Sequence, residues 1–317
     1  MKQECPEMRI LVPVDGSEHA NRSVQFAGCL GTSLSRAPQE ITLLRVITGR
    51  YMSSRLPYLD FRAEILKQSD VFTKFKQRYI ETTIIPSMEK DELMLRHTGV
   101  TSQITRQTAD GDPAREIIRT AQEGKFTTII MARRGLSELM GVLLGSVTNK
   151  VVLSAVGQTV YIVGQTVLEE NKCPVPKILV PIDGSKYSLR GIEHAACLAR
   201  ELKKNIGSIT LLRVINLAFY ETRLLEGIDP EEETKKIFQE AQKTFTGISK
   251  TEGLVTTKMR VGRPAEEIMQ EAEAGKYNLI IMGRKGRTAL KNLILGGVST
   301  TVIQRCMNPT IAIVSMK

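Results

Sequence analysis

The residues of this 317-residue chain that could do chemistry are glycines and hydroxyls following an apolar run. Leu279–Met282 reads as a buried strand that stops at Gly283; Gly286 follows three residues later, and nine more residues lead to Gly296 and Gly297 and the helical pattern Val298–Cys306. Glycine at such points removes the Cβ and tolerates φ > 0, so backbone N–H groups can face one concavity and a ligand can come close. Unpaired amides at a helix start, helped by the helix dipole and by the hydroxyls of Ser299 and Thr300, suit the oxygens of an anion such as phosphate. This is binding chemistry without a Walker loop, since neither G-x-x-x-x-G-K-[ST] nor G-x-G-x-x-G occurs. Taken alone, the stretch is more readily a plain strand-to-helix connection.

Its weight comes from recurrence. Ile10–Ser17 (ILVPVDGS) returns as Ile178–Ser185 (ILVPIDGS), and Ile41–Ile47 (ITLLRVI) returns unchanged as Ile209–Ile215, both displaced by 168 residues. Farther along the displacement is 151, from Pro113-Ala114 to Pro264-Ala265 and from Ile129–Met131 to Ile280–Met282. The first copy therefore carries 17 more residues, the difference between 168 and 151, somewhere between Ile47 and Pro113. A period of that length marks a duplicated domain and not a solenoid.

Each copy alternates strand and helix. In the first, strands are expected at Met8–Val14, Ile41–Ile47, Val100–Gln107, Thr127–Met131 and Thr159–Val163. Helices are expected at Glu18–Leu34 with Ser17 as N-cap, over Arg62–Arg96 with a break near Pro86, at Asp112–Gln122, and from Gly145 onward. The second copy repeats this from Lys177 to Val314 after a linker, Glu169–Pro176, giving domains 1–170 and 171–317. Such alternation predicts an α/β fold of two tandem doubly wound domains, each a parallel sheet with helices on both faces. Ligands bind such sheets outside the carboxyl ends of the strands, a rim holding Val14-Asp15, Val46 and Met131–Gly135, and in the second copy Ile182-Asp183, Val214 and Met282–Gly286.

The formal net charge of +10 is spread along the chain, without RNA-recognition, zinc-finger or basic-zipper signatures, so a phosphorylated ligand is favoured over nucleic acid. No apolar run of about 18 residues occurs and Met1–Met8 lacks a signal-peptide core, which reads as a cytoplasmic protein with no membrane partner. The five cysteines, odd in number and without a C-x-x-C pair, read as reduced thiols, with Cys29 and Cys197 as small buried hydrophobes. His19, His97 and His194 have no counterpart in the other copy, so they read as structural and no catalytic set emerges.

The P-[VI]-D-G-S strand end in both copies, with G-x-x-G, nine residues and G-[ST] nearly matched twice, resembles the universal stress protein family as a tandem two-domain member. The second copy departs only at Gly297, where serine or threonine is expected, and the first only at Ala132, where glycine is expected. The resemblance implies a five-stranded parallel sheet per domain, of the adenine nucleotide alpha hydrolase-like type. It also implies last strands pairing as an intramolecular pseudo-dimer, with a homodimer allowed, and ATP, with or without Mg2+, at the rim. Carried over, the nucleotide residues are Pro181, Asp183, Val214, Met282, Gly283, Gly286, Gly296, Gly297, Val298 and Ser299. In the first copy they are Pro13, Asp15, Val46, Met131, Gly135, Gly145, Ser146, Val147 and Thr148. No metal ligands are assigned. The implied role is that of a non-enzymatic stress-response regulator or signalling protein. The alternatives are a scaffold without nucleotide, whose Arg133-Arg134 and Arg284-Lys285 are solvated loop charges, and a slow ATP hydrolase. The second site is expected to be the tighter, because Ala132 is strained if its position needs φ > 0. Lys285, Arg287 and Lys291 also add positive charge there, while Glu138 offsets Arg133 and Arg134.

Overall fold

In the computed structural model, which describes residues 5–48, 70–134, 144–166, 172–249, 253–286 and 295–315, the apolar runs form strands. The first copy runs β1 (Arg9–Val14), α1 (Glu18–Ser33), β2 (Glu40–Ile47), α2 (Asp70–Tyr79), α3 (Ile85–His97), β3 (Gln103–Asp110), α4 (Pro113–Glu123), β4 (Thr128–Ala132), α5 (Ser146–Ser154) and β5 (Thr159–Val163). The second runs β6 (Lys177–Ile182), α6 (Lys186–Leu202), β7 (Ser208–Ile215), α7 (Leu217–Leu225), α8 (Pro230–Ile248), β8 (Val255–Val261), α9 (Pro264–Ala274), β9 (Leu279–Gly283), α10 (Gly297–Arg305) and β10 (Thr310–Val314).

The strands form one ten-stranded sheet ordered β3-β2-β1-β4-β5-β10-β9-β6-β7-β8. Every pairing within a copy is parallel; the seam between copies, β5 with β10, is antiparallel, with Ile162 opposite Ile311 and Tyr161 opposite Ala312. Alternate residues feed opposite faces, as the pleat requires. Ile10, Val12 and Val14 join the core under α1, α3, α6 and α8, while Leu11 joins the core under α4, α5, α9 and α10. Tyr161 of β5 reaches across the seam, its hydroxyl 2.7 Å from Nε2 of His194 on α6. Burial pushes His194 down to about 4, which leaves the imidazole neutral and structural, as its lack of a counterpart implied.

Three expectations are corrected. β3 lies three residues later than its alternation indicated, because it pairs only with β2 and its register follows backbone bonding from Glu40↔Gln103 to Ile47↔Asp110, with Ala109 alone buried. Pro86 does not break the helical excursion. α2 passes through a π-helical turn, Ile80–Ile84, into α3, where proline stands in the first turn and needs no amide donor. The cysteines are not all reduced: Cys5 is joined to Cys197 of α6, Cα atoms 5.5 Å apart across 192 residues. That pairing comes from the packing of one copy against the other, which spacing within a copy does not register. Cys29 is buried in α1, as read from its neighbours. Gly135, Glu138, Arg287, Lys291, residues 62–69 of the expected helical stretch and residues 169–171 of the linker lie outside the described residues.

The Cys5–Cys197 link closes a very long loop, for which the chain-entropy model gives roughly 2–5 kcal/mol. Thermal unfolding should therefore show a lower midpoint with a thiol reductant than without, and Cys5→Ser should abolish that sensitivity. Equal midpoints under both conditions would contradict the pairing.

Candidate functional site

At the end of β1 the chain turns through Gly16 at φ +77°, and at the end of β6 through Gly184 at φ +78°, a conformation that glycine adopts without strain. Oδ1 of Asp15 accepts from the Ser17 amide at 3.0 Å and from its hydroxyl at 2.6 Å, and Ser17 Oγ accepts from the Ala20 amide at 3.1 Å. In the second copy Asp183 Oδ1 accepts from the Ser185 amide at 2.9 Å, and Ser185 Oγ from the Ser188 amide at 3.1 Å. The repeated Asp-Gly-Ser is thus turn and N-cap together, which fixes where each aspartate meets the rim.

A cleft of about 750 Å³ opens at the carboxyl ends of the first-copy strands, where strand order reverses between β1 and β4. Pro13, Asp15, Val46, Met131, Gly145, Ser146, Val147 and Thr148 all line it. Its walls are apolar, with Leu44, Ile47, Ile117 and Met131, and Arg45, Arg134 and Lys150 supply positive charge. Gly145 caps α5, and its amide donates to the Arg133 carbonyl at 2.8 Å while Thr148 Oγ1 donates to the Ala132 carbonyl at 2.9 Å. These bonds pin the helix start beside β4. Ser146 is exposed, its side chain without a partner among the described residues, and the first-turn amides lack intrahelical acceptors. An anion reaching the cleft meets those donors.

The second copy gathers Asp183, Gly286 and Gly296: a Cβ on Gly286 would stand 2.7 Å from Asp183 Oδ2, and one on Gly296 3.5 Å from the Gly286 amide nitrogen. Val214 and Met282 are buried at their strand ends, Pro181 is half-buried, and Gly297 and Val298 are exposed on the first turn of α10. Two expectations about this copy change. Ser299 donates its hydroxyl to the Gly283 carbonyl and Thr300 to the Gly296 carbonyl, both at 3.0 Å, so neither proton is directed at an anion. Gly283 is not in the left-handed region; a Cβ there would lie 2.4 Å from the Tyr187 carbonyl oxygen, so glycine serves the close approach of α6. Ala132 consequently carries no φ penalty, and one ground for ranking the second site higher is gone.

The arginines immediately after β4 and β9, Arg133 and Arg284, are neither solvated nor aimed at a phosphate. Arg133 is 6% exposed and Arg284 8%, and each guanidinium crosses the seam to backbone carbonyls of the other copy. Burial pushes Arg133 down to about 10 and lowers Arg284 as well.

Sequence reasoning missed a charged cluster beneath the cleft. Arg45 is buried on β2, and Nη1 would lie 3.3 Å from a Cβ placed on Gly16. The signal was present in the identical ITLLRVI heptads, each with an arginine inside an apolar strand; Arg213, the counterpart, is buried as well. Asp91 on α3 is 3% exposed and its Oδ2 lacks a hydrogen-bond partner. Burial pushes its carboxyl up to about 6, with Arg45 and Lys90 opposing and Asp15 reinforcing the shift. Among the described residues no group of three His, Cys, Asp or Glu could hold a metal, and no helix is long and apolar enough to cross a membrane.

Fold and rim together define a tandem α/β protein with a ligand cleft at the strand ends. The chain belongs to the universal stress protein family, whose model matches residues 8–160 and 174–313. A universal stress protein of Mycolicibacterium smegmatis is 25% identical over 318 residues, covering 99% of both chains. One from Methanocaldococcus jannaschii is 30% identical over 156 residues, 48% of this chain and 90% of its own. The crystal structure of a universal stress protein from Archaeoglobus fulgidus covers 97% of this chain and 96% of its own at 22% identity and a TM-score of 0.61, a shared fold.

Asp91 gives the site a pH signature. Its carboxyl titrates higher in the folded chain than its ordinary 3.8, so folding favours the protonated form. That contribution is fully present below the ordinary value and is lost as pH rises to about 6. Asp91→Asn should gain on wild type by roughly 2–3 kcal/mol between about pH 4 and pH 7, measured by urea unfolding of both chains. A difference that stays constant with pH would contradict this.

Proposed function

We propose that the chain binds ATP in the first-domain cleft and acts as a stress-response regulator, its nucleotide-bound state being what a partner reads. The observation that carries this is the cleft itself, whose lining combines apolar walls sized for a base and sugar, the first turn of α5, and the cations Arg45, Arg134 and Lys150. Val46 and Met131 would face adenine, and the amides of residues 146–148 with the Ser146 hydroxyl would take phosphate oxygens. Magnesium would arrive on the triphosphate, with Asp15 and Asp112 as the acids among the described residues that line the cleft. Membership of the universal stress protein family supports the regulatory part of the reading.

The protein works by binding and not by turnover. Asp15 and Asp112 are the acids among the described lining residues, and Oδ1 of each already accepts backbone amides of its own turn or cap. The net charge of +10 serves the ligand and solubility, without a nucleic-acid partner, in the cytoplasm. The two domains act as an internal pseudo-dimer, a reading that the antiparallel pairing of β5 with β10 supports. The first domain holds the tighter site, the reverse of the sequence expectation, because Ser146 stands where the second copy has Gly297, while Thr148 and Ser299 are engaged alike by their strand-end carbonyls.

Ser146→Glu tests this without threatening the fold, since an acid in a first helical turn suits the helix dipole while repelling phosphate. Calorimetry should show ATP binding to wild type weakened at least tenfold, about 1.4 kcal/mol, by Ser146→Glu and less by Gly297→Glu. No binding by wild type, or a loss confined to Gly297→Glu, would overturn the proposal.

A further inference from the structure

We infer that Arg133 and Arg284 are positioning residues that act in trans, each holding the helix at the phosphate end of the other domain's site, so that the two sites are coupled. The inference rests on the nucleotide reading above. The last carbonyls of a helix lack intrahelical partners, and buried ones require donors from elsewhere. For α5 those donors are on Arg284: its guanidinium reaches the carbonyls of Val152 at 3.2 Å, Leu153 and Ala155. For α10 they are on Arg133, which reaches the carbonyls of Ile303 and Cys306.

The same two residues also hold the helix starts, through their backbones. The Arg133 carbonyl accepts from the Gly145 amide and the Arg284 carbonyl from the Gly296 amide, each at 2.8 Å. The bonds therefore close a ring. From the Arg133 carbonyl it runs through Gly145 and α5 to the Arg284 guanidinium, then through the Arg284 carbonyl, Gly296 and α10 back to the Arg133 guanidinium. Each helix is nine residues long, a rigid rod of about 13 Å. A phosphate that settles on the first turn of α5 shifts the carbonyls gripped by Arg284, whose own backbone sets the start of α10.

Charge and shape both favour arginine here. A cation at a helix carboxyl end is stabilised by the dipole, and the planar fork spans several carbonyls at once, which the point charge of lysine cannot do. Nε of each arginine has no hydrogen-bond partner, so the terminal nitrogens alone carry the grip. Ser315 Oγ adds a further acceptor for Arg284 at 3.0 Å and itself donates to the Ala155 carbonyl at 3.0 Å. Arginine is the first variable residue of the glycine signature in both copies, so the coupling element is written into the binding loop itself.

Hydrogen exchange on the full chain, followed by mass spectrometry across an ATP titration, tests this with residues 145–148 and 296–299 read separately. In Arg284→Met the ATP concentration that half-protects residues 145–148 should rise roughly tenfold, within the usual span of coupling between sites, with a smaller change at 296–299. Arg284→Lys should shift it in the same direction, and it decides the comparison if the methionine variant does not fold. Arg133→Met should mirror the pattern at 296–299. An effect of Arg284→Met or Arg284→Lys that is equal or greater in its own domain would overturn the inference. If ATP protects nothing in wild type, the nucleotide reading fails on its own. Exchange without ligand then decides the clamp: faster exchange of α5 than of α10 in the Arg284 variants supports it, and the reverse overturns it.

Discussion

Two sheets that each end on an apolar strand cannot both leave that edge in water, and the pairing of β5 with β10 is the constraint on which the molecule depends. Every residue of both strands is buried. An open edge would expose unpaired amides beside that apolar surface, an invitation to aggregation that the antiparallel seam removes. The approach is close enough that a Cβ on Gly164 would lie 2.2 Å from the Asn308 carbonyl oxygen, so glycine is needed just past β5. Small Ala312 faces Tyr161 across the seam and leaves the ring to pack on Phe26 and His194. Seam, disulfide and arginines all join the same two halves, and the arginines can reach their carbonyls only because the seam sets α5 and α10 within range.

Duplication gave the two halves one plan, and single side chains then separated them. The Asp-Gly-Ser turn and the ITLLRVI strand persist in both. Gly16 of the first copy sits over the Arg45 guanidinium and Ser87, whereas Gly184 of the second sits over Ile237. A charged cluster with Asp91 therefore lies under one cleft, and an apolar contact occupies the matching place in the other. Gly283 accommodates α6, while the first copy tolerates Ala132 because its own helix packs less tightly on the strand end. A shared backbone rim thus carries two different electrostatic environments.

Much of this was legible from the chain itself. Repeats offset by 168 and then 151 residues identified the duplication, the apolar runs located most strands, and the rim rule brought Val14, Asp15, Val46 and Met131 to one cleft. What was not legible depends on side-chain direction across the seam. Arg133 and Arg284 follow a strand in a glycine-rich loop, where a solvated or phosphate-facing cation is the ordinary expectation, and only the neighbouring copy supplies the carbonyls that bury them. The Cys5–Cys197 pair had the same origin, though the repeat offset does place Cys173 and Cys29 at the matching positions, a regularity that a simple count of five conceals. Asp91 has no recurring motif, and its burial follows from helix packing over Arg45.

The central claim is that adenine nucleotide occupies the first-domain cleft, and photolabelling tests it where it matters. Irradiating the intact chain with 8-azido-ATP and sequencing the modified peptides should place the label on the segments that line the cleft, residues 44–48, 111–117 or 131–134, and excess ATP should abolish it. Label that ATP does not displace, or that falls outside the segments lining the first-domain cleft, would contradict the account.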